Sequence, residues 1–336
     1  MNQQLKKERI LALETSCDET AVAVVLRGRE VRSHFLATSA DLHQKTGGIV
    51  PEIAAREQLV FILPLIEKAL QKAWGRINAA DIDALAVTNC PGLLGSLLVG
   101  VETARTLSWV WQKPLIPVNH LTAHLYFPWL EGLDPTFPLL GLIVSGGHTE
   151  LVFWPQHGQF ELLGVTRDDA AGEAFDKAAK MLGLGYPGGP AIEKEAKRGK
   201  AVVKLPRPLL KENNFDFSFS GLKTALYYFL QQNPAWAKDP LRRANLAASF
   251  QEAVVEVLVE KTFRAWEQMR TKAVVVGGGV SANQRLRQTM VQRLPVPVLF
   301  PPREWATDNA ALIGACAYFN FQPCSWDQIQ AVPRCP

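Results

Sequence analysis

The sequence predicts an α/β protein of two lobes, each built on the same strand–turn–strand unit. An apolar run, a polar turn and a second apolar run occupy residues 10–25, and the same succession recurs at residues 139–154. The two turns begin at Ser16 and Ser145, and each has a threonine four positions later. A fixed offset of this kind indicates an internal duplication. At 336 residues, the chain also exceeds the length that one hydrophobic core normally serves.

Further strands and helices alternate along the chain, as an α/β fold requires. Residues 84–88, 115–118 and 273–276 are short apolar runs that predict strands. Residues 92–110 predict a helix, and the small residues at its start allow close approach of backbone. Asn119 follows the second of these strands and is a good N-cap for another helix.

The turn at residues 145–149 reads SGGHT, and its glycine pair predicts a phosphate-binding loop. Without a Cβ, backbone N–H groups come within hydrogen-bonding distance of an anion. Together with the turn at residues 16–20, it is able to hold one polyphosphate between two lobes. Both turns are equally compatible with ordinary hairpin loops.

A run of three glycines, residues 277–279, follows a predicted strand and precedes Ser281 and Gln284. The spacing of these two polar residues is that of a capping box, so a helix is expected to begin at Ser281. A strand, a glycine turn and a helix start are typical of nucleotide sites. The spacing is not that of the dinucleotide-binding fingerprint, so this signal alone is weak.

Composition restricts the class of protein. With 48% hydrophobic and 20% charged residues, the chain is expected to be a soluble globular protein. Its first nine residues are polar, and no apolar run reaches the roughly 18 residues of a membrane span, so neither secretion nor a membrane partner is expected. The cysteines lack a C-x-x-C pair and indicate neither a disulfide framework nor a thiolate zinc site, so a reduced cytoplasm is the expected location. These cysteines are Cys17, Cys90, Cys316, Cys324 and Cys335.

The net charge of +4 does not by itself indicate a nucleic-acid partner, but the charge is uneven. Residues 194–211 contain seven bases and the single acid Glu195. Such a cluster is able to neutralise several phosphates. It is also the ordinary composition of a solvated surface.

The segment HLTAH places His120 and His124 four positions apart, one helical turn from each other. Both imidazoles are then able to reach one metal ion. A zinc protease needs a glutamate directly after the first histidine, and Leu121 stands there, so peptide hydrolysis is disfavoured. A carboxylate such as Asp308 would complete a two-histidine, one-carboxylate site. The alternative is a pair of surface histidines.

These segments together resemble the tRNA N6-adenosine threonylcarbamoyltransferase family, whose former name is the O-sialoglycoprotein endopeptidase family. The stretch of residues 105–125 fits the family signature throughout, and the resemblance extends almost end to end. The other matching segments are LETSCDET (13–20), GGIVPE (47–52), PGL (91–93), VSGGHT (144–149), DDAAGEAFDK (168–177), YPGGP (186–190), SFSGLKT (218–224), GGVSAN (278–283) and TDN (307–309).

The resemblance implies the actin-like ATPase (ASKHA) fold, in which two ribonuclease-H-like lobes bind a nucleotide in the cleft between them. Residues 1–130 would form lobe I and residues 131–307 lobe II. A helix at residues 308–325 would return to lobe I.

The resemblance also implies the site residues. His120, His124 and Asp308 would hold one divalent metal per subunit, Fe2+ in the family, with Zn2+ or Mn2+ as alternatives. An adenine nucleotide, either threonylcarbamoyl-AMP or ATP, would contact a second set. The members of that set are Ile143, Val144, Ser145, Gly146, Gly147, Asp176, Gly189, Glu193 and Asn283. Asp18 and Glu19 are candidate general bases on position alone.

Two members of the nucleotide set have particular alternatives. Glu193 stands where many relatives have aspartate, so its contact with a ribose is less well founded. Asp176 with Lys180, and Glu173 with Lys177, have the i,i+4 spacing of ion pairs on an exposed helix.

The resemblance implies transfer of a threonylcarbamoyl group from threonylcarbamoyl-AMP to N6 of adenosine 37 in tRNAs that read codons beginning with A. The implied partners are tRNA, a smaller ASKHA-fold paralogue and a P-loop ATPase. The alternatives are a small-molecule kinase or O-carbamoyltransferase of the same fold, and a non-catalytic nucleotide-binding scaffold. The chain departs from the family at Ala55, Gln58 and Ala306, where serine, histidine and cysteine are frequent.

Overall fold

The structure is a computed structural model that describes residues 8–39 and 50–335. It consists of two compact units, Met1–Asp134 with Thr307–Pro336, and Pro135–Ala306. Residues 47–49 of the family-like segment GGIVPE lie outside the described residues. Within the described part of the chain, no helix combines the length and the apolar character needed to cross a membrane.

The described residues form two five-stranded sheets and the helices that cover them. The strands are β1 (Arg9–Glu14), β2 (Glu19–Leu26), β3 (Glu30–Thr38), β4 (Ala84–Cys90), β5 (Leu115–Asn119), β6 (Leu139–Val144), β7 (Thr149–Gln156), β8 (Gln159–Val165), β9 (Ala273–Gly277) and β10 (Val298–Leu299). The α-helices are α1 (Pro51–Trp74), α2 (Leu94–Trp111), α3 (His120–Ala123), α4 (Phe127–Leu130), α5 (Ala171–Met181), α6 (Gly188–Ala196), α7 (Ser220–Gln232), α8 (Ala235–Lys238), α9 (Pro240–Met269), α10 (Gln284–Arg293) and α11 (Ala310–Phe319). Short 3-10 turns occupy Ala79–Asp81, His124–Tyr126, Gly279–Ala282 and Arg303–Trp305.

The sheet of the first unit has the order β3-β2-β1-β4-β5. Strand β2 runs antiparallel to both of its neighbours, β1 and β3, whereas β4 and β5 run parallel to β1. Helices cover both faces of the central strand, which explains why β1 is a continuous apolar run rather than an alternating one. One of these helices is α11, which is buried over residues 310–317.

The sheet of the second unit has the order β10-β9-β6-β7-β8, with β6, β7 and β8 antiparallel and β9 and β10 parallel to β6. This order is the same as in the first unit when β6 is matched with β1. The turns at residues 16–20 and 145–149 are therefore equivalent connections between the first two strands of each unit. The predicted internal duplication is confirmed, because each unit repeats one topology.

Two sequence predictions about local structure were right. The helix predicted over residues 92–110 is α2, and a Cβ on Gly92 would lie 2.5 Å from the carbonyl oxygen of Ser16, so the expected close approach of backbone occurs. Asn119 caps α3, because its Oδ1 accepts hydrogen bonds from the N–H groups of Leu121 and Thr122.

Two others were wrong at the level of residues. The helix expected to begin at Ser281 begins at Gln284, because Ser281 lies in a 3-10 turn and Asn283 caps the helix through the N–H of Leu286 at 3.0 Å. The helix expected over residues 308–325 is α11, which spans Ala310–Phe319. It begins at Ala310 because Asn309 caps it, and its C-cap is Asn320.

The sequence indicated no disulfide framework, but one disulfide bond joins Cys90 and Cys335. Backbone hydrogen bonds bring the end of the chain to β4. The N–H of Val332 donates to the carbonyl oxygen of Asn89 at 2.8 Å, and the N–H of Gly92 donates to the carbonyl oxygen of Pro333 at 3.2 Å. Spacing along the sequence gives no sign of this pairing, since 245 positions separate the two cysteines.

Candidate metal and nucleotide sites

His120, His124 and Asp308 come together in the first unit. The Nε2 atoms of the two histidines are 3.3 Å apart, and Oδ1 of Asp308 lies 3.4 Å from the first and 3.5 Å from the second. The side chain of His124 is 3% exposed and that of His120 is 12% exposed. The alternative of two surface histidines is therefore excluded by their burial and by their shared contact with one carboxylate.

The separations of these three atoms fit a metal ion. Ligands about 2.1 Å from one ion at tetrahedral angles lie about 3.4 Å from one another. Two imidazole nitrogens and one carboxylate oxygen are a donor set that suits divalent transition metals. The other ring nitrogen of His124, Nδ1, is buried without a hydrogen-bond partner among the described residues, so Nε2 is the atom of that ring with polar neighbours.

Helix caps fix the positions of these side chains. Asn119 ends β5 and caps α3, so His120 is the first residue of that helix. His124 follows α3 directly and opens a 3-10 turn, which keeps it one helical turn beyond His120. Asp308 immediately precedes Asn309, whose Oδ1 accepts the N–H of Ala311 at 2.8 Å and starts α11.

The electrostatics of the cluster favour a bound cation. Burial raises the pKa of Asp308, but the rings of His120 and His124 outweigh burial and hold that pKa well below its ordinary value. Burial lowers the pKa of His120, yet the carboxylates of Glu14 and Asp308 reverse this effect and raise the pKa above its ordinary value. The two carboxylates thus stabilise positive charge at this point.

The turn at residues 16–20 lies beside this cluster in the first unit. Burial, followed by the carboxylates of Asp308 and Asp18, raises the pKa of Glu19 to about 8. Oε2 of Glu19 is buried and has no hydrogen-bond partner among the described residues. The two candidate bases therefore stand near the predicted metal ligands, and of the two Glu19 has the unsatisfied oxygen.

In the second unit, the turn at residues 145–149 has the open backbone that a phosphate site requires. The N–H of Ser145 donates to the carbonyl oxygen of His148 at 2.9 Å, and the N–H of His148 donates to Oγ of Ser145 at 3.1 Å. Gly146 and Gly147 are exposed, and a Cβ on either would meet no atom within 4 Å. Their backbone is therefore accessible to a ligand.

Neighbouring segments hold this turn in place. Ile143 and Val144 are fully buried in β6, so they contribute backbone and not side chains to any surface. The N–H of Gly172 in α5 donates to the carbonyl oxygen of Ser145 at 3.1 Å. Gly278 has a φ of +88°, and a Cβ there would lie 2.5 Å from the carbonyl oxygen of Val144. The glycine run of residues 277–279 thus packs directly on the end of β6.

The remaining predicted nucleotide contacts lie at helix starts. Asp176 does not form the ion pair with Lys180 that its spacing allows in sequence; its Oδ1 accepts the N–H of Gly188 at 2.6 Å, at the start of α6. Burial raises the pKa of Asp176. Gly189 follows, and a Cβ on it would meet no atom within 4 Å. The ion pair predicted from i,i+4 spacing does form between Glu173 and Lys177, where Oε1 lies 2.7 Å from Nζ.

Glu193 and Asn283 approach each other at the start of α10. Oε1 of Glu193 accepts the N–H of Gln284 at 3.3 Å. The amide of Asn283 caps the same helix and donates to Oε1 of Gln251 at 2.9 Å. Both polar groups of the Asn283 side chain therefore have partners within the protein.

The basic stretch at residues 194–211 is partly neutralised. Its bases form ion pairs with acids as follows: Lys197 with Glu193, Arg198 with Glu195, and Arg207 with Glu256. A cavity of about 770 Å³ lies beside this stretch, and none of the residues that line it is a predicted site residue. The cavity therefore gives no support to the predicted nucleotide site.

The three departures from the family pattern have structural roles. Gln58 is 1% exposed, and its Nε2 donates to the carbonyl oxygens of Cys17 at 3.1 Å and Glu19 at 3.0 Å. Ala55 packs against Gly95, since a Cβ added to Gly95 would lie 3.3 Å from the Cβ of Ala55. Ala306 is 3% exposed. None of these residues removes a predicted metal ligand.

Sequence reasoning missed the role of Glu14. Its Oε2 lies 3.0 Å from Nδ1 of His120, and its side chain is 1% exposed. The only signal in the sequence was a carboxylate at the end of a buried apolar strand, immediately before a polar turn. Such a residue is costly to bury unless its oxygens are satisfied.

Comparison with solved structures defines the class of protein. HypF from T. kodakarensis matches with a TM-score of 0.64 at 14% identity, over 93% of this chain and 48% of that one. The activator of the 2-hydroxyisocaproyl-CoA dehydratase from Clostridium difficile matches with a TM-score of 0.51 at 13% identity, over 96% of this chain and 95% of that one. Together with the duplicated sheet topology, these matches show the actin-like ATPase (ASKHA) fold that was predicted.

Sequence comparison then shows the family. The model of the family described as TsaD, tRNA N6-adenosine threonylcarbamoyltransferase, matches residues 30–315. A relative of that name from Thermomicrobium roseum is 52% identical over 93% of this chain and 92% of its own, and one from Dehalococcoides mccartyi is 49% identical over 93% and 94%. The chain belongs to the tRNA N6-adenosine threonylcarbamoyltransferase family and is a transferase. The predicted family, fold class and enzyme class are confirmed.

Proposed function

We propose that this chain transfers the threonylcarbamoyl group from threonylcarbamoyl-AMP to N6 of adenosine 37 in tRNAs that read codons beginning with A. One observation carries the proposal. His120, His124 and Asp308, the residues at the positions to which the family resemblance assigns a metal, place three donor atoms within 3.5 Å of one another. A scaffold without catalysis has no need of this arrangement.

The chemistry explains why an activated donor is required. The lone pair on N6 of adenine is delocalised into the ring, so this amine is a weak nucleophile. Threonylcarbamoyl-AMP is a mixed anhydride, in which attack by N6 on the carbamoyl carbon breaks the bond to the phosphate oxygen and releases AMP. The proton lost from N6 needs an acceptor. Asp18 and Glu19 are the candidates, and the buried Oε2 of Glu19 has no hydrogen-bond partner within residues 8–39 and 50–335.

The first unit would hold the metal through His120, His124 and Asp308. We assign it as one Fe2+ per subunit, with Zn2+ and Mn2+ as the other ions that this donor set suits. When bound, the metal would supply Lewis-acid polarisation of the carbamoyl or phosphate oxygen. The ionised carboxylate of Asp308 and the buried imidazole of His124 fix the site before the substrate arrives.

The second unit would hold the adenine nucleotide, whether threonylcarbamoyl-AMP or ATP. The backbone of the exposed Gly146 and Gly147 and of the half-buried Gly189 supports this assignment, because a Cβ on any of them would occupy open space that a ligand can fill. The carboxylates of Asp176 and Glu193 accept N–H groups at the starts of α6 and α10, and we assign them as acceptors for nucleotide hydroxyl groups. Fixing the acyl donor at several points orients it for attack.

Lobe I of the proposed enzyme would comprise residues 1–130 with the returning C-terminal helix, and lobe II residues 131–307. Because tRNA is the proposed acceptor, the enzyme would act in the cytoplasm. A smaller ASKHA-fold paralogue and a P-loop ATPase would be its partners. The exposed bases of residues 194–211 are a candidate contact for tRNA.

The test is transfer of 14C-labelled threonylcarbamoyl from its adenylate to unmodified tRNA, compared with a panel of small alcohols, amines and sugars. Label on N6 of adenosine 37 is expected. Label confined to the small acceptors would favour an O-carbamoyltransferase, and phosphorylation of a small acceptor by ATP would favour a kinase. No transfer under any condition would favour the scaffold.

A pair of variants tests the metal assignment. His120→Ala is expected to abolish transfer and metal binding, because one of three donor atoms is lost. Thr122→Ala is the matched control on the same short helix, since the Thr122 hydroxyl donates to the carbonyl oxygen of Asn119 at 3.1 Å and is not a predicted metal ligand. Full transfer activity in His120→Ala would contradict the metal-dependent mechanism.

A further inference from the structure

Glu14 is a buried carboxylate that the proposed reaction leaves without a task. It is the last residue of β1 and is 0% exposed. The backbone N–H of Ser16 donates to its Oε1 at 2.6 Å, and the hydroxyl of Thr88 donates to its Oε2 at 2.5 Å. Nδ1 of His120 is the third polar neighbour, 3.0 Å from Oε2. All three contacts belong to the first unit.

With a cation held beside Asp308, this arrangement determines which nitrogen of His120 keeps a proton. Oε2 of Glu14 lies 3.0 Å from Nδ1 and Oδ1 of Asp308 lies 3.4 Å from Nε2, so carboxylates face both ring nitrogens. A cation bound at Nε2 leaves Nδ1 as the N–H that donates to Oε2, because an ionised carboxylate only accepts hydrogen bonds. Oγ of Ser16 also lies 3.3 Å from Nδ1, but a hydroxyl either donates or accepts and so does not select a tautomer. The remaining nitrogen, Nε2, then presents its lone pair towards Asp308 and His124.

We propose that Glu14 is the positioning residue of the metal centre: by accepting the Nδ1 proton of His120, it fixes the ring so that Nε2 is the atom offered to a divalent cation. The inference rests on the proposed role of His120, His124 and Asp308. Hydrogen bonds from metal-binding imidazoles to carboxylates fix ring orientation and make the ligand more basic. Thr88 and Ser16 in turn fix the carboxylate.

The first test uses the unaltered protein loaded with Zn2+ and labelled with 15N in its histidine rings. The NMR spectrum is expected to show His120 protonated at Nδ1 and coordinated through Nε2. Coordination through Nδ1, or a proton on Nε2, would overturn the proposal. Because no variant is needed, a failure of Glu14→Gln to fold does not affect this measurement.

The second test measures the affinity of Glu14→Gln for Zn2+ by competition with a chromogenic chelator. Glutamine loses the negative charge and offers one acceptor oxygen where Glu14 offers two to its three polar neighbours, so the hydrogen bond to His120 is disrupted. Disruption of an outer hydrogen bond of this kind typically weakens metal binding by about 10- to 100-fold, and we expect a change in that range. Asp81→Asn is the matched control, because Asp81 is a buried carboxylate of the same unit that pairs with Arg76 at 2.9 Å. Its Zn2+ affinity is expected to equal that of the parent.

The outcomes separate this inference from the proposed function. If the parent protein itself binds no Zn2+, Fe2+ or Mn2+, the metal assignment of the proposed function fails. If the parent binds the ion and folded Glu14→Gln binds it equally well, only the role of Glu14 fails. A loss of affinity that is equal in Glu14→Gln and Asp81→Asn would show a general effect of removing buried charge and would also overturn the proposal.

Discussion

Replacing Gly172 by alanine is expected to destabilise the second unit and to disturb the turn that we assign to the nucleotide. Gly172 is the second residue of α5, and its N–H donates to the carbonyl oxygen of Ser145. A Cβ there would lie 2.6 Å from that oxygen, 2.8 Å from Cα of Gly146 and 2.9 Å from the backbone nitrogen of Gly146. All three atoms belong to the backbone, so no rotamer change relieves the clash.

The magnitude follows from two opposing effects. Overpacking of a well-packed contact costs about 1–3 kcal/mol, because helix and turn must separate by several tenths of an ångström. Alanine is favoured over glycine within a helix by up to about 1 kcal/mol, and less than that at the second helical position. The expected net loss in the free energy of unfolding is therefore about 1–2 kcal/mol. The displaced turn should also bind nucleotide at least about tenfold more weakly, since tenfold corresponds to only about 1.4 kcal/mol.

Urea denaturation and calorimetric titration with an adenine nucleotide measure the two effects. Gly221→Ala is the matched control, because it lies near the start of α7 and a Cβ there meets only Cγ of Pro208 at 3.5 Å. This control should be at least as stable as the parent and bind nucleotide normally. Gly146→Ala should keep the stability of the parent but lose affinity. The reasoning is refuted if Gly172→Ala is as stable as Gly221→Ala.

Three further outcomes are expected. Burial raises the pKa of Asp168, but hydrogen bonds from Ser218, Phe219 and Ser220 outweigh burial and lower that pKa below its ordinary value. The ionised carboxylate therefore stabilises the start of α7 above about pH 4. This contribution is lost as the pH falls through the lowered pKa. Asp168→Asn should thus lower the free energy of unfolding by about 1 kcal/mol at pH 7 and by progressively less as the pH falls below about 4. A loss that stays the same from pH 7 down to the lowest pH at which the parent is folded, measured in urea titrations, would contradict this assignment. Gln58→Ala removes the amide donor that the carbonyl oxygens of Cys17 and Glu19 share, although Cys17 keeps the hydroxyl of Ser96 at 2.8 Å. The change should cost about 1–3 kcal/mol in the same assay, and a loss under about 0.5 kcal/mol would show that water replaces the amide. Cys335→Ser should lower the free energy of unfolding by about 2–5 kcal/mol relative to the oxidised parent and by almost nothing relative to the parent in excess dithiothreitol. If the variant and the parent are equally stable under oxidising conditions, the bond to Cys90 does not form.

Features encoded by neighbouring residues could be predicted from the sequence. The duplication was visible because each apolar run, polar turn and apolar run is one local unit, and the sheet order then repeats around it. The cap at Asn119 was visible because a polar side chain at the end of a strand has few other uses. The relation of His120 to His124 followed from helical spacing alone.

Features that depend on competition or on distant contacts could not be predicted in this way. Ser281 and Asn283 are both good caps, and only the 3-10 turn between them decides that Asn283 is used. The approach of Cys335 to Cys90 depends on backbone hydrogen bonds at the end of the chain. Asp308 was brought into the metal site by family resemblance, because no local pattern encodes the packing of α11 on β1.

The duplicated topology explains why polar groups gather where they do in each unit. In the first sheet, β1, β4 and β5 are parallel neighbours, and Glu14, Thr88 and His120 lie at or just beyond their carboxyl ends. In the second sheet, the glycine runs of residues 146–147 and 277–279 occupy the corresponding ends of the parallel neighbours β6 and β9. Carboxyl ends of parallel strands are where α/β sheets bind ligands. One repeated topology thus accounts for the positions of both proposed sites, imidazole and carboxylate in one unit and exposed backbone amides in the other.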